Sequence, residues 1–102
     1  MHERLARCHL IAKVLAADGM MKDEERKFLR SAMEAAGLDA DEQRQVIEFD
    51  GHDKALDAAL SLSADKRKAL ADDIVEAALK DGKLSPVEME VAKKIAAKLT
   101  GV

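Results

Sequence analysis

Two octads, DGMMKDEE at residues 18–25 and DGKLSPVE at 81–88, recur in one short chain at an offset of 63 residues (18 to 81). Each opens on Asp-Gly, carries a hydrophobic fourth residue and closes on Glu. With the same offset, Ile11 aligns with Ile74, Ala16 with Leu79, and Phe28 with Val91. The octads are therefore the centres of two longer units, each a helix, a turn and a helix. The aligned positions are mostly apolar, which predicts that each pair gives one face to a shared core and that the pairs are related by an approximate two-fold axis.

The flanking periodicity supports helices throughout. Leu5, Cys8, Ile11, Ala12 and Leu15 fall at helical spacing with Glu3, Arg7 and Lys13 between them, predicting an amphipathic helix over about 3–17 that Asp18-Gly19 ends. Phe28, Leu29, Ala32, Met33 and Ala36 form the next stripe, with Asp23, Glu24 and Glu25 in the first turn and Gly37 as the stop. Asp39 and Glu42 read as a capping pair for a short helix through Val46, Ile47 and Phe49, after which DGHD at 50–53 breaks the chain. A further short helix fits Ala55 to Leu60. Ser63 then precedes a run through Leu70, Ile74, Ala78 and Leu79. Ser85-Pro86-Val87-Glu88 supplies a capping Ser, a Pro at the first helical position and a Glu at the third, opening a last helix with the stripe Val87, Val91, Ile95 and Leu99.

Composition agrees with an all-α fold, a bundle of about five helices in one domain over 1–102. The chain is 48% hydrophobic and 36% charged, yet has only Phe28 and Phe49 as aromatic residues, where a sheet core would call for more aromatic and β-branched side chains. A length of 102 residues suits one core and not two. Seventeen basic against twenty acidic side chains, net −3, with no aromatics among the basic ones, argues against nucleic acid as a partner. Uncharged stretches fall short of the ~20 residues that span a bilayer, so no direct membrane insertion is expected. MHERLARCH lacks the apolar block of a signal peptide. Cys8 is the sole cysteine, so no internal disulfide is available, and a cytoplasmic setting is expected.

The octads also fit half of the calcium loop D-x-[DN]-x-[DN]-G-x₅-E. Asp18, Gly19 and Glu25, and again Asp81, Gly82 and Glu88, match its fifth, sixth and twelfth positions, whereas its first and third positions are Val14 and Ala16, or Ala77 and Leu79. Neither copy alone can supply the six to eight oxygens calcium takes, but two facing turns sharing an ion could. The candidate metal ligands are thus Asp18, Glu25, Asp81 and Glu88, and the candidate cofactor is a divalent cation, calcium or another hard ion. Turn and cap chemistry explains the same residues without an ion, the Asp folding back on turn amides and the Glu capping the helix. DGHD has Asp53 in the apolar position and Asp57 in place of Glu, and reads as an ordinary turn. His2, Cys8 and His9 lack the spacing of a zinc site. Cys8 and the Met residues read as core, and Lys66-Arg67-Lys68 as a solvated helix face.

ADG and KDG turns, a hydrophobic fourth residue, Glu at the eighth, and helices closing in AAGL and LTGV resemble the TerB-like family of tellurite-resistance proteins over about residues 10–38 and 70–102. The resemblance implies an all-helical bundle and acidic residues suspected of metal binding, matched here by Asp18, Glu25, Asp81 and Glu88. It also implies a role in bacterial stress and metal-oxyanion resistance beside a protein partner that can be membrane-associated, without catalysis. The chain departs from the pattern in its length and in Lys22 standing where the second copy has Ser85. A non-enzymatic, cation-holding, partner-binding module is expected. The alternatives are an ion-free interaction domain and a metal-dependent enzyme, the latter disfavoured because Ser31, Ser61, Ser63 and Thr100 have no His or Asp arranged around them in sequence.

Overall fold

A computed structural model describes residues 1–17, 19, 21–80 and 86–101. Six helices make up the fold: α1 Glu3–Leu15, α2 Asp23–Ala35, α3 Ala40–Ile47, α4 His52–Leu60, α5 Ala64–Lys80 and α6 Pro86–Thr100, with no strand among the described residues. The all-α bundle expected from the periodicity is observed, with six helices where about five were anticipated. No helix among the described residues is long and apolar enough to cross a membrane.

The bundle is organised around α1, which is not amphipathic. Nine of its thirteen residues are buried, including His9 and Leu10 as well as the stripe Leu5, Cys8, Ile11, Ala12 and Leu15. A helix that is apolar on nearly every side belongs at the centre of a fold. It touches α2, α3, α4, α5 and α6, and its most extensive packing is with α4, where Ala55 and Ala59 are fully buried and their small side chains let the two backbones approach. The two repeat units therefore differ in packing. α5 and α6 lie along one another, whereas α2 leans on α1 through a narrow inward face of Glu25, Leu29 and Met33.

Three positions depart from what the periodicity predicts. Leu79 is 57% exposed because it sits nine residues, two and a half turns, beyond the buried Leu70 and so faces the opposite side of α5. Val87 is 47% exposed, since the buried stripe of α6 keeps the expected Ile95 and Leu99 but begins with Glu88 and Ala92, one position after the expected Val87 and Val91. Phe49 lies outside α3, which ends at Ile47. The cap expected at Ser85 lies outside the described residues.

The capping pair at Asp39 forms as expected: the Glu42 amide donates to the Asp39 carboxylate at 2.8 Å and the Asp39 amide to the Glu42 carboxylate at 3.1 Å. Asp39→Ala is expected to cost about 1 kcal/mol in a denaturant melt. A loss indistinguishable from zero would show that α3 is held by its packing alone. α2 has only half of this device. Glu25 accepts from the Lys22 amide at 3.0 Å, but Lys22 has no side-chain acceptor to return the bond.

Candidate functional site

The four carboxylates singled out by the octads divide into two sets. Asp18 and Asp81 lie outside the described residues. Glu25 and Glu88 occupy the third positions of α2 and α6, and both are buried, at 1% and 0% exposure. A carboxylate is rarely enclosed to this degree. Oε1 of Glu25 meets the Lys22 amide, while Oε2 is buried without a hydrogen-bond partner among the described residues. That second oxygen goes beyond what capping needs. No group of three or more His, Cys, Asp or Glu side chains among the described residues is arranged to hold a metal ion.

The other polar candidates have structural work. The Cys8 thiol is fully buried and directed at the Ala32 carbonyl, Sγ to O 3.9 Å, and burial raises its pKa, which suppresses the reactive thiolate. His2 caps α1 by accepting from the Leu5 amide at 3.2 Å and pairs with Glu42. The hydroxyls of Ser61 and Thr100 donate to the carbonyls of Asp57 at 3.0 Å and Ala96 at 2.9 Å, and the Ser63 hydroxyl accepts from the Lys66 amide at 3.4 Å.

A histidine pair not foreseen from the sequence joins the centre of the bundle to α4. The Nδ1 atoms of His9 and His52 lie 2.7 Å apart, so one ring donates to the other, and the rings meet edge to face with centroids 4.8 Å apart. Phe49 adds a second edge-to-face contact to His52 at 4.9 Å. The two Nε2 atoms are buried without hydrogen-bond partners among the described residues. Desolvation holds His9 below its ordinary pKa, opposed by Asp50. It lowers His52 to about 4, reinforced by His9 and Lys13 and opposed by Asp53. Both rings are accordingly neutral at pH 7. The signal in the sequence was the nearly unbroken run CHLIAKVL, which leaves His9 no exposed face.

A concavity of about 470 Å³ lies beside the first octad. Ala16, Gly19 and Met21 form one end, Leu29 and Met33 of α2 form the floor, and Ile47 and Phe49 form the far lip, with Arg26 and Arg30 on α2 completing the lining. Ile47 is 55% and Phe49 46% exposed. A smaller hollow of about 290 Å³ beside α5 contains the Arg7–Asp73 ion pair.

The position of Phe49 is unusual. α2 ends in a Schellman motif: the Leu38 amide bonds the Met33 carbonyl, the Gly37 amide bonds the Glu34 carbonyl, and Gly37 takes the left-handed conformation at φ 72°. α3 ends in the same motif, Asp50 amide to Gln45 carbonyl and Phe49 amide to Val46 carbonyl, but the left-handed residue is Phe49 at φ 58°. A side chain with a Cβ costs roughly 1–2 kcal/mol there. Sequence reasoning placed Phe49 on the helix because nothing local marks a phenylalanine as the stop. Comparison with family models, with curated proteins and with solved structures finds no match to this chain.

Proposed function

We propose that the protein is a non-enzymatic interaction module, of the bacterial stress and metal-resistance type that its octads resemble, acting in the cytoplasm by holding a protein partner. The observation that carries this reading is the open apolar groove between the first octad, α2 and the end of α3. Its lip presents Ile47 and Phe49 to solvent, and contiguous exposed apolar surface of this kind marks interaction sites more often than chance. The backbone-tied hydroxyls and the buried Cys8 thiol give a nucleophilic enzyme little support. The test is a photo-crosslinking residue, p-benzoylphenylalanine, in place of Ile47, and separately in place of the exposed Leu60 of α4 as control. Irradiation in bacterial cells is expected to give a discrete higher-mass adduct from position 47 only. Equal adducts from both positions, or none from 47, would reject the groove as the working surface.

A second reading is favoured by one specific observation, the buried Oε2 of Glu25, which has no hydrogen-bond partner among the described residues. In it, Glu25 and Glu88 with Asp18 and Asp81 supply oxygens to a divalent cation. A cation bound only by the folded state stabilises it by roughly 2.7 kcal/mol at about a hundredfold excess over Kd, and each kcal/mol moves Tm by roughly 4–8 °C at this size. After chelator treatment, millimolar calcium, magnesium, zinc or manganese is expected to raise Tm by on the order of 10–20 °C. Glu25→Gln, which keeps an oxygen for the Lys22 amide, is expected to remove most of that rise. An unchanged melt with all four ions would leave the octads as turn and cap chemistry.

A further inference from the structure

We infer that the occupant of the groove is an amphipathic helix carrying acidic residues one helical turn apart, held by Arg26 and Arg30. This deepens the partner-binding reading above and rests on it. Arg26 and Arg30 are four residues apart on α2, both are exposed, and neither has an ion pair or side-chain hydrogen bond among the described residues. Among the described residues lining the groove there is no carboxylate, and Arg26 and Arg30 are the charged ones, although the chain as a whole is net −3. The groove is thus a local concentration of positive charge in an acidic protein, and complementary charge sets which partner docks and how fast.

The spacing selects a helix. Residues four apart on α2 stand about 5–6 Å from each other along its axis, so carboxylates with the same spacing on a neighbouring helix meet both guanidiniums in one register. A ligand with a single carboxylate would engage only one. The apolar face of such a helix meets the exposed Ile47 and Phe49, with the buried Leu29 and Met33 closing the groove beneath. Met21, half-buried at the other end, adds an unbranched side chain that adapts to differently shaped partners.

Phe49 supplies an independent observation. The same Schellman motif is closed by glycine after α2 and by phenylalanine after α3, where the left-handed backbone disfavours it. Strained residues of this sort gather at ligand clamps, and the ring so placed forms the lip of the groove and faces solvent over nearly half its surface. Aromatic anchors dominate the energetics of such docking.

The experiment uses the full chain and three fluorescein-labelled helical peptides of about 18 residues, long enough to hold a helix. All share leucines at helical spacing, and they differ only in two flanking residues one turn apart: Glu, Gln or Lys. Fluorescence anisotropy is expected to show the Glu peptide binding at least tenfold tighter than the Gln peptide, with the Lys peptide weakest. R26A together with R30A should erase the difference, and R26E with R30E should reverse the order. F49G should weaken the Glu peptide at least tenfold while Tm stays at or above that of the unsubstituted protein, because glycine relieves the left-handed strain. Equal binding of the Glu and Gln peptides, or no effect of the arginine substitutions, would overturn the acidic selection and leave the groove itself standing. Unchanged binding by F49G would overturn the anchoring role of Phe49. Binding of none of the peptides would overturn the helix as occupant, and the crosslink from position 47 separates that result from failure of the groove as a partner surface.

Discussion

Acidification from pH 7 to pH 4 is expected to lower Tm by roughly 5–15 °C, with most of the loss above the range in which carboxylates titrate. The cause is the His9–His52 pair. In the folded chain both imidazoles are held below their ordinary pKa, His52 at about 4 against 6.5 when unfolded. The unfolded chain therefore binds more protons as pH falls, so the contribution is complete above about pH 6.5 and is lost progressively towards pH 4. At about 1.4 kcal/mol per pKa unit the full shift would be worth about 3 kcal/mol. His52 is only partly buried, and screening by water reduces this to about 1–2 kcal/mol.

Several charged groups surround the pair, with Lys13 disfavouring its protonation and Asp50 and Asp53 favouring it. A separate acid arm comes from Glu42, whose pKa is lowered by the Asp39 amide and by His2. Its contribution is present above 4.5 and is lost below that value, beneath most of the histidine window. His52→Gln keeps a hydrogen-bonding group at the junction of α1 and α4 but cannot titrate. Its Tm should change much less between pH 6.5 and 4.5, while the fall below pH 4.5 persists. Parallel Tm–pH curves for the two proteins would show that the histidine pair carries no acid sensitivity.

The helices were legible because their signals are local. The Asp39–Glu42 box, Gly37 at the end of α2 and the helical stripe of α5 are each set by a few neighbouring residues. What could not be read is set by partners distant in sequence. His9 and His52 are 43 positions apart, and only the packing of α4 on α1 brings them together. The groove likewise needs α2, the turn beside Gly19 and the end of α3 at once. The octads did mark positions of consequence, since Glu25 and Glu88 are the two buried carboxylates among the described residues. Their burial was not visible in the sequence, where charge at a helix start ordinarily means a solvated cap. Leu79 and Val87 show the opposite error: apolar residues near a stripe were counted as core, though they are rotated onto the solvent face.

Leu10→Ala is expected to be the most damaging of the substitutions considered, at about 2–5 kcal/mol, or a fall in Tm on the order of 10–30 °C. Leu10 lies off the stripe of Leu5, Cys8, Ile11, Ala12 and Leu15. On a one-sided amphipathic helix it would face water, and trimming it would change stability by no more than about 0.5 kcal/mol. In the bundle it is completely buried, because α1 is surrounded rather than laid on a surface. The same measurement on Leu79→Ala, at a side chain 57% exposed, should give only the small change. A large loss for Leu10 beside a small one for Leu79 would establish α1 as the central helix. Comparable losses at the two positions would instead favour two equivalent hairpins packed face to face, and would remove the enclosed setting that holds His9 neutral against His52.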